Sequence, residues 1–453
     1  MGKVRTFPLG VLLLTPLLAA IWFLEQKPYP APLPPPWENG RLLVSTRPNL
    51  LGNPEPDSIW PGVEYQLLRR FAEQQKWQLQ FTTPEHFRGI FDDVEREQAH
   101  LAAANLSMTV ARLERFLFTR PIGHSTVVVL AHARQPDLPG WQAMEGDVDV
   151  LAGSIFEDLL RNHGVHYNRR LHGTVLDLLD ALEDGQIRHT LLDRNVWLLF
   201  RPFFPNVRVV LETEERLPIG WALPVTANGL ALKRRLDAWL TVQEDQGHLA
   251  RMWREDLLPA EDYDPAGTFY FRRLSRERLP RYRHLFEETA ALTGLDWQLL
   301  AAMAYQESHW NPLARSSTGV RGLMMLTRKT ARELGVANRL DSEESVLGAA
   351  RYLIKLRDKL PERIADDHRL WFALAAYNIG FRHLENARRL AQTRGADPDN
   401  WFEVRPWLAR LNERELVRSI GAWPADGRQA ARYVSHIQLY YRFLVWDSAR
   451  RQP

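Results

Sequence analysis

The chain contains no cysteine. Disulfides, a Cys–His nucleophile, thiolate metal sites and a lipidated N-terminal cysteine are therefore excluded. The absence fits an oxidising compartment without requiring one. The chain also lacks a strong charge bias. It has 58 Lys and Arg against 55 Asp and Glu, a formal net charge of +3. That excess is too small to imply nucleic acid, although it is compatible with a polyanionic wall polymer. Histidines such as His86, His100 and His309 lack metal-ligand spacing, so neither a metal nor a cofactor is expected. No internal repeat relates one half to the other.

At 453 residues the chain is too long for one ordinary core. Lys3 and Arg5 precede an apolar run, Phe7–Leu24, that carries no charge. Basic residues before such a run mark export, so residues 1–27 are expected to be a signal peptide or a retained signal anchor. Residues 28–39 follow, with six prolines between Pro28 and Pro36. They read as a semi-rigid spacer of extended polyproline geometry. From Gly40 to Leu258 short β-branched runs alternate with helical spacings, such as Val63, Leu67, Leu68 and Phe71. Alternation of this kind predicts an α/β domain. Residues 259–283 break the pattern: Pro, Gly and acidic residues come first, six arginines against one glutamate follow, and the segment reads as a linker. Its basic cluster is either solvated or in contact with anionic wall or with the other domain. Residues 284–453 show helical spacing throughout and predict an all-α domain.

Within that helical half one carboxylate stands out. Leu295, Leu299, Ala302, Met303 and Gln306 share a helix face, and Glu307 ends it. Held between apolar helices, a lone carboxyl group is a candidate general acid, because burial raises its pKa from about 4.3 towards neutrality. Glu307-Ser308, Gly322-Leu323-Met324-Met325, Thr330-Ala331, GAARY at 348–352, Ala376-Tyr377-Asn378-Ile379-Gly380 and YVSHIQLYY at 433–441 occur in that order. The set resembles the signature of soluble-type (SLT) lytic transglycosylases, related to goose-type lysozyme. Met325 replaces the glutamine of most members, a form similar to the membrane-bound lytic murein transglycosylase F branch. The resemblance implies a lysozyme-like fold and non-hydrolytic cleavage of the MurNAc–GlcNAc β-1,4 bond of peptidoglycan, leaving 1,6-anhydro-MurNAc ends, for wall remodelling or turnover. It implies Glu307 as the catalytic residue, with Ser308, Gly322, Met324, Met325, Tyr377 and Asn378 as substrate contacts. Tyr377 is expected to hydrogen-bond Glu307 or substrate. Ser308 is expected either at the sugar or on backbone, Gly319 and Gly322 in turns beside the sugar, and Tyr433 packed in the last helix, with a role in the cleft as the alternative. Glu333 and Asp341 are expected to be solvated surface acids.

The α/β half carries PGVEYQLLRRFA, LSMTVARLERFLFTRPI, LAGSIFEDLL and GQIRHTLLD in order. These resemble the family 3 periplasmic solute-binding domains of the amino-acid type. Two lobes are implied, 40–123 with 216–258, and 124–215. Arg112 would pair with a ligand carboxylate and Asp193 with its amino group, with Asn105, Ser107 and Thr109 as further donors. Ile155 stands where that family has Thr, which removes a hydroxyl. The combination implies a lytic enzyme modulated by a muropeptide or amino acid. A binding protein whose helical half only holds peptidoglycan is the alternative. The implied location is the periplasm, with peripheral attachment to the outer membrane or an inner-membrane anchor.

Overall fold

A computed structural model describes residues 31–47, 62–144, 146, 148–170, 173–261, 263–317 and 319–450. The expected signal segment at 1–27 lies outside them. Among the described residues no helix is long and apolar enough to cross a membrane.

The α/β half is bilobed. Its strands are β1 (Arg41–Ser45), β2 (Gln78–Thr82), β3 (Leu101–Ala102), β4 (Leu117–Phe118), β5 (Gly123–Ser125), β6 (Val127–His132), β7 (Val148–Leu151), β8 (Asn168–Arg170), β9 (His189–Asp193), β10 (Val207–Glu212), β11 (Leu217–Ile219) and β12 (Ala222–Leu223). The first lobe is a sheet of order β2-β1-β3-β12-β4, the second one of order β10-β6-β9-β7-β8. In the first, β1 runs parallel to β2 and β3, which forces crossover helices. Helix Gly62–Gln75 supplies one of them, and its Val63, Leu67, Leu68 and Phe71 are buried along a single stripe. In the second, β6 is a continuous apolar run buried on both faces. The chain passes between lobes along β5 and returns along β11. These two strands pair antiparallel, Leu217 opposite Ser125.

Two expected connections differ in the structure. The proline-rich spacer is docked from Leu33 onward. Leu33 donates its amide to Glu97, and Pro34 O lies 3.0 Å from His100 Nε2. Pro36–Asn39 is a helical turn, and Trp37 packs on the first-lobe core. Proline needs no amide partner at a helix start, so Pro36 suits that position. The linker is likewise structured. Helix Pro265–Glu277 is capped by Asp264, and its Phe271 is fully buried. Its arginines are not simply solvated: Arg272 pairs with Asp180 (2.7 Å) and Glu183 (2.6 Å) of the second lobe. The one apolar ridge of that basic helix decided its position, because burying Phe271 outweighs leaving the arginines in water.

The helical half comprises α1 (Arg283–Thr293), α2 (Trp297–Ser308), α3 (Arg328–Glu333), α4 (Ser342–Asp358), α5 (Asp366–Ile379), α6 (Phe381–Thr393), α7 (Trp401–Ala409), α8 (Arg414–Arg418) and α9 (Gly427–Arg450). Helix α9 packs against α2, α5 and α7, and also against helix His248–Glu261 of the α/β half. There Arg442 and Asp256 form a buried ion pair. Aromatic rings fill the junction of the halves. Phe203 lies 4.6 Å from Phe443 and 5.8 Å from Phe271, and Phe200 lies 4.8 Å from Trp446, centroid to centroid. Second-lobe and helical residues thus share one continuous core.

Candidate active site and ligand cleft

Helix α2 delivers Glu307. Asp296 caps its start by accepting the Gln298 amide at 2.8 Å, and Tyr441 Oη of α9 donates to the other oxygen of the same carboxylate at 2.8 Å. The helix ends abruptly after Ser308. His309 and Trp310 both adopt left-handed backbone, φ 51° and 55°, an uncommon conformation for such residues. Trp310 holds the turn: its buried indole donates Nε1–H to Ala301 O at 2.8 Å. The carboxyl group is thereby presented from the last helical turn.

Tyr433 Oη of α9 donates to Glu307 Oε1 at 2.7 Å. That bond favours the carboxylate, but burial acts more strongly and pushes the Glu307 carboxyl up to about 7. A group poised there holds its proton at neutral pH and can release and recover it. The phenols of Tyr433 and Tyr377 are themselves driven well above the usual range, first by burial and then by the Glu307 charge. Both therefore stay protonated and keep an O–H to donate.

The structure redistributes several expected roles. Tyr377 does not bond Glu307. It donates to Met324 O at 3.0 Å and lies nearly parallel to Tyr433, with centroids 6.5 Å apart. Ser308 serves backbone: its Oγ lies 2.8 Å from Leu323 O and 3.0 Å from Ala304 O, tying α2 to the Gly-Leu-Met-Met loop. Met324 is fully buried, so its side chain is packing. Gly322 adopts φ 89°, and a Cβ there would stand 1.7 Å from Arg339 O. It begins a turn closed by the Met325 amide on its carbonyl at 3.2 Å, and the approach of the Arg339 backbone leaves no room for a side chain. Met325 is half-buried in left-handed backbone, φ 49°. Gly319, φ 85°, passes its carbonyl to Arg339 at 3.1 Å. Asp341 caps α4 through the Glu344 amide. Asn378 lines a cavity of about 830 Å³ together with Gln306 and Tyr433. The side-chain amides of Gln306 and Asn378 have no hydrogen-bond partner among the described residues. A phenol at helical spacing looks like core, so the sequence favours packing over the cleft for Tyr433. Only the fold brings it to Glu307, across 126 positions of sequence.

A second cavity, about 230 Å³, lies between the lobes and brings together Asn105, Ser107, Arg112, Ile155 and Asp193. Thr109 precedes the short helix Val110–Leu113 and does not line it. Arg112 lies over the Phe91 ring at 4.8 Å and donates to Ser107 O at 3.0 Å and to Gly153 O at 3.5 Å. Burial lowers its guanidinium to about 10, and burial raises the Asp193 carboxyl to about 6 against the opposing pull of Arg112. Asn105 Nδ2 and Ser107 Oγ approach the two Asp193 oxygens at 3.3 and 3.5 Å, joining one lobe to the other. The rest of the lining is largely apolar. Two of its members, Trp446 and Arg450, come from α9, and nothing in the sequence pattern pointed to them.

No cluster of His, Cys, Asp or Glu suited to a metal occurs among the described residues. Residues 284–400 match the profile of the Transglycosylase SLT domain, and residues 54–256 that of bacterial extracellular solute-binding proteins, family 3. The chain is similar to membrane-bound lytic murein transglycosylase F 1 of Alkalilimnicola ehrlichii, 37% identical over 92% of this chain and 86% of that protein. A second relative, membrane-bound lytic murein transglycosylase F of Stutzerimonas stutzeri, is 36% identical over 90% of this chain and 85% of that protein. Among solved structures, an amino acid ABC transporter substrate-binding protein from Streptococcus pneumoniae bound to L-arginine aligns over 49% of this chain and 97% of that one. Its identity is 17% and its TM-score 0.44.

Proposed function

The chain belongs to the membrane-bound lytic murein transglycosylase F family and is a peptidoglycan lytic transglycosylase, and on that premise we propose that Glu307 alone performs its acid and base steps. The observation that carries this reading is the buried carboxyl near pKa 7, bonded to Tyr433, with burial and that one phenol as the influences on it. Ordinary glycosidases use two carboxyl groups. Here the protonated Glu307 gives its proton to the glycosidic oxygen, the C1–O bond breaks, and GlcNAc departs with a hydroxyl. The resulting carboxylate takes the proton from the C6 hydroxyl of the same MurNAc. O6 closes on C1, leaving a 1,6-anhydro sugar and a protonated Glu307. Tyr433 steadies the carboxylate between the steps, and Gln306 and Asn378 offer amide groups to the sugar. Digestion of wall sacculi tests this: anhydro-muropeptides should appear, and Glu307→Gln should abolish them with the fold intact. Reducing-end products would instead mean a hydrolase.

The inter-lobe cleft is proposed to bind a small ligand bearing a carboxylate and an amine, an amino acid or a wall-derived peptide, through Arg112 and Asp193. Ligand binding there would modulate the lytic rate through α9, which carries Trp446 and Arg450 at the cleft and Tyr433 at Glu307. Such coupling requires the ligand to favour one state of the molecule over another. Calorimetry with amino acids and muropeptides, paired with rates, tests it. Binding without a change in rate would reduce the module to a scaffold. The relatives' designation as membrane-bound supports action at the envelope in association with a membrane, and we propose the periplasm, with attachment to the outer membrane favoured over an inner-membrane anchor.

A further inference from the structure

The cavity beside Tyr433 has a wall whose arginines take no part in the acid–base chemistry. That wall is the first two turns of α9. Arg428 and Arg432 stand four residues apart and so share a ridge, next to the ridge that carries Gln429 and Tyr433. Both arginines line the cavity, and both are exposed. Neither makes an ion pair or a side-chain hydrogen bond among the described residues. Other arginines of this chain are held: Arg388, for example, pairs with Glu385 at 2.7 Å and with Asp399 at 2.5 Å. Like charges at this spacing repel, so the pair disfavours the helix unless an anion answers it. The cavity's own carboxylate, Asp426, accepts the Gln429 amide through Oδ1 at 3.3 Å and, among the described residues, forms no ion pair with either arginine.

The wall is also fixed in place. A Cβ on Gly427 would stand 1.8 Å from Leu408 O, so the start of α9 is pressed on the end of α7. Asn412, Pro424 and Ala425 also line the cavity, and the residue before Pro424 is Trp423, 76% exposed.

A strand of alternating N-acetylated sugars is electrically neutral. The lactyl carboxyl of MurNAc is spent in the amide that carries the peptide stem. The free carboxylates of the substrate therefore lie on the stem, and paired guanidinium groups bind carboxylates in forked geometry. We propose that this cavity is a peptide-stem subsite, in which Arg428 and Arg432 hold a stem carboxylate and make the enzyme select stem-bearing over stripped glycan. The inference rests on the lytic reading above and adds a specificity to it.

The experiment compares kcat/KM on soluble stem-bearing glycan strands with kcat/KM on the same strands after an amidase has removed the stems. The double variant Arg428→Gln/Arg432→Gln should lower the stem-bearing to stem-free ratio about tenfold, the loss expected for charged hydrogen bonds. Arg428→Lys/Arg432→Lys should retain part of the preference, and circular dichroism should find both variants folded. An unchanged ratio, or an equal fall on both substrates, overturns the subsite. Failure of the lytic reading would register differently, as anhydro products surviving in Glu307→Gln on either substrate.

Discussion

The acid–base behaviour of Glu307 is a balance between burial and one hydrogen bond, and each can be removed separately. In Tyr433→Phe the carboxylate loses its donor, so the carboxyl pKa rises further. The alkaline limb of the pH–rate profile should move up by about half to one unit, with a lower kcat because the intermediate carboxylate is less well held. A profile that stays in place would mean the bond does not tune the acid. The same burial has a cost in stability. Glu307 has an ordinary value of 4.5 and a folded value of about 7. Below pH 4.5 both states hold the proton. Between 4.5 and 7 the folded state keeps it while the unfolded state loses it, so stability falls as pH rises through that window. Glu307→Gln removes the titration. The variant should gain stability over the parent above pH 7, on the order of 2 kcal/mol after allowing for solvent access, and denaturant melts at pH 4 and pH 8 measure it. Glu307 was legible from the ordered motifs, and the direction of its shift from its apolar helix. Its partner was not, because the hydrogen bond depends on how α9 crosses α2.

At the scale of elements, the end of α2 is held by contacts that look like substrate chemistry in the sequence. Ser308 ties it to Leu323 O, and Tyr377 ties Met324 O to α5. Ser308→Ala should cost about 1 kcal/mol of stability and lower kcat more than it raises KM, since it frees the carboxylate's helix turn and removes no sugar contact. Kinetics in which KM alone rises would return Ser308 to the substrate side. Gly322→Ala should be far more damaging, about 3 kcal/mol or more, because the new methyl would meet the Arg339 carbonyl; thermal melts read it. The helices themselves were well marked by period, whereas the caps Asp296 and Asp341 emerged only with the fold: Asp341 looks like a surface acid in the sequence. Within residues 259–283 the arginines and prolines left open whether the segment is solvated or docked, and masked the single ridge of Gly267, Phe271 and Leu274 that the fold buries. Motif identity gave which residues cluster, but not which face their side chains turn to.

Across the whole molecule, α9 is the element both halves share. Its C-terminal end meets the second lobe, where Arg450 bonds Asp180 at 2.7 Å and Asp177 at 3.3 Å. Its other end meets Glu307 through Tyr433. If the cleft governs lysis through this helix, Arg450→Ala should leave ligand binding measurable by calorimetry while abolishing the ligand's effect on lytic rate. A rate that still responds would place the coupling on another path. The bilobed and all-α architectures were readable separately, from alternation in one and helical period in the other. Their union was not, since Phe203, Phe271 and Phe443 lie far apart in sequence and each alone looks like ordinary core. That aromatic junction governs how the molecule comes apart. With its rings interleaved, neither half presents a finished surface to water, so heating should yield a single melting step rather than two. A protease that cut the chain near residue 262 would leave the fragments clasped together. A lytic fragment begun at residue 284 would leave behind the Phe271 ring that fills its own interior, and should be recovered from cells as aggregate.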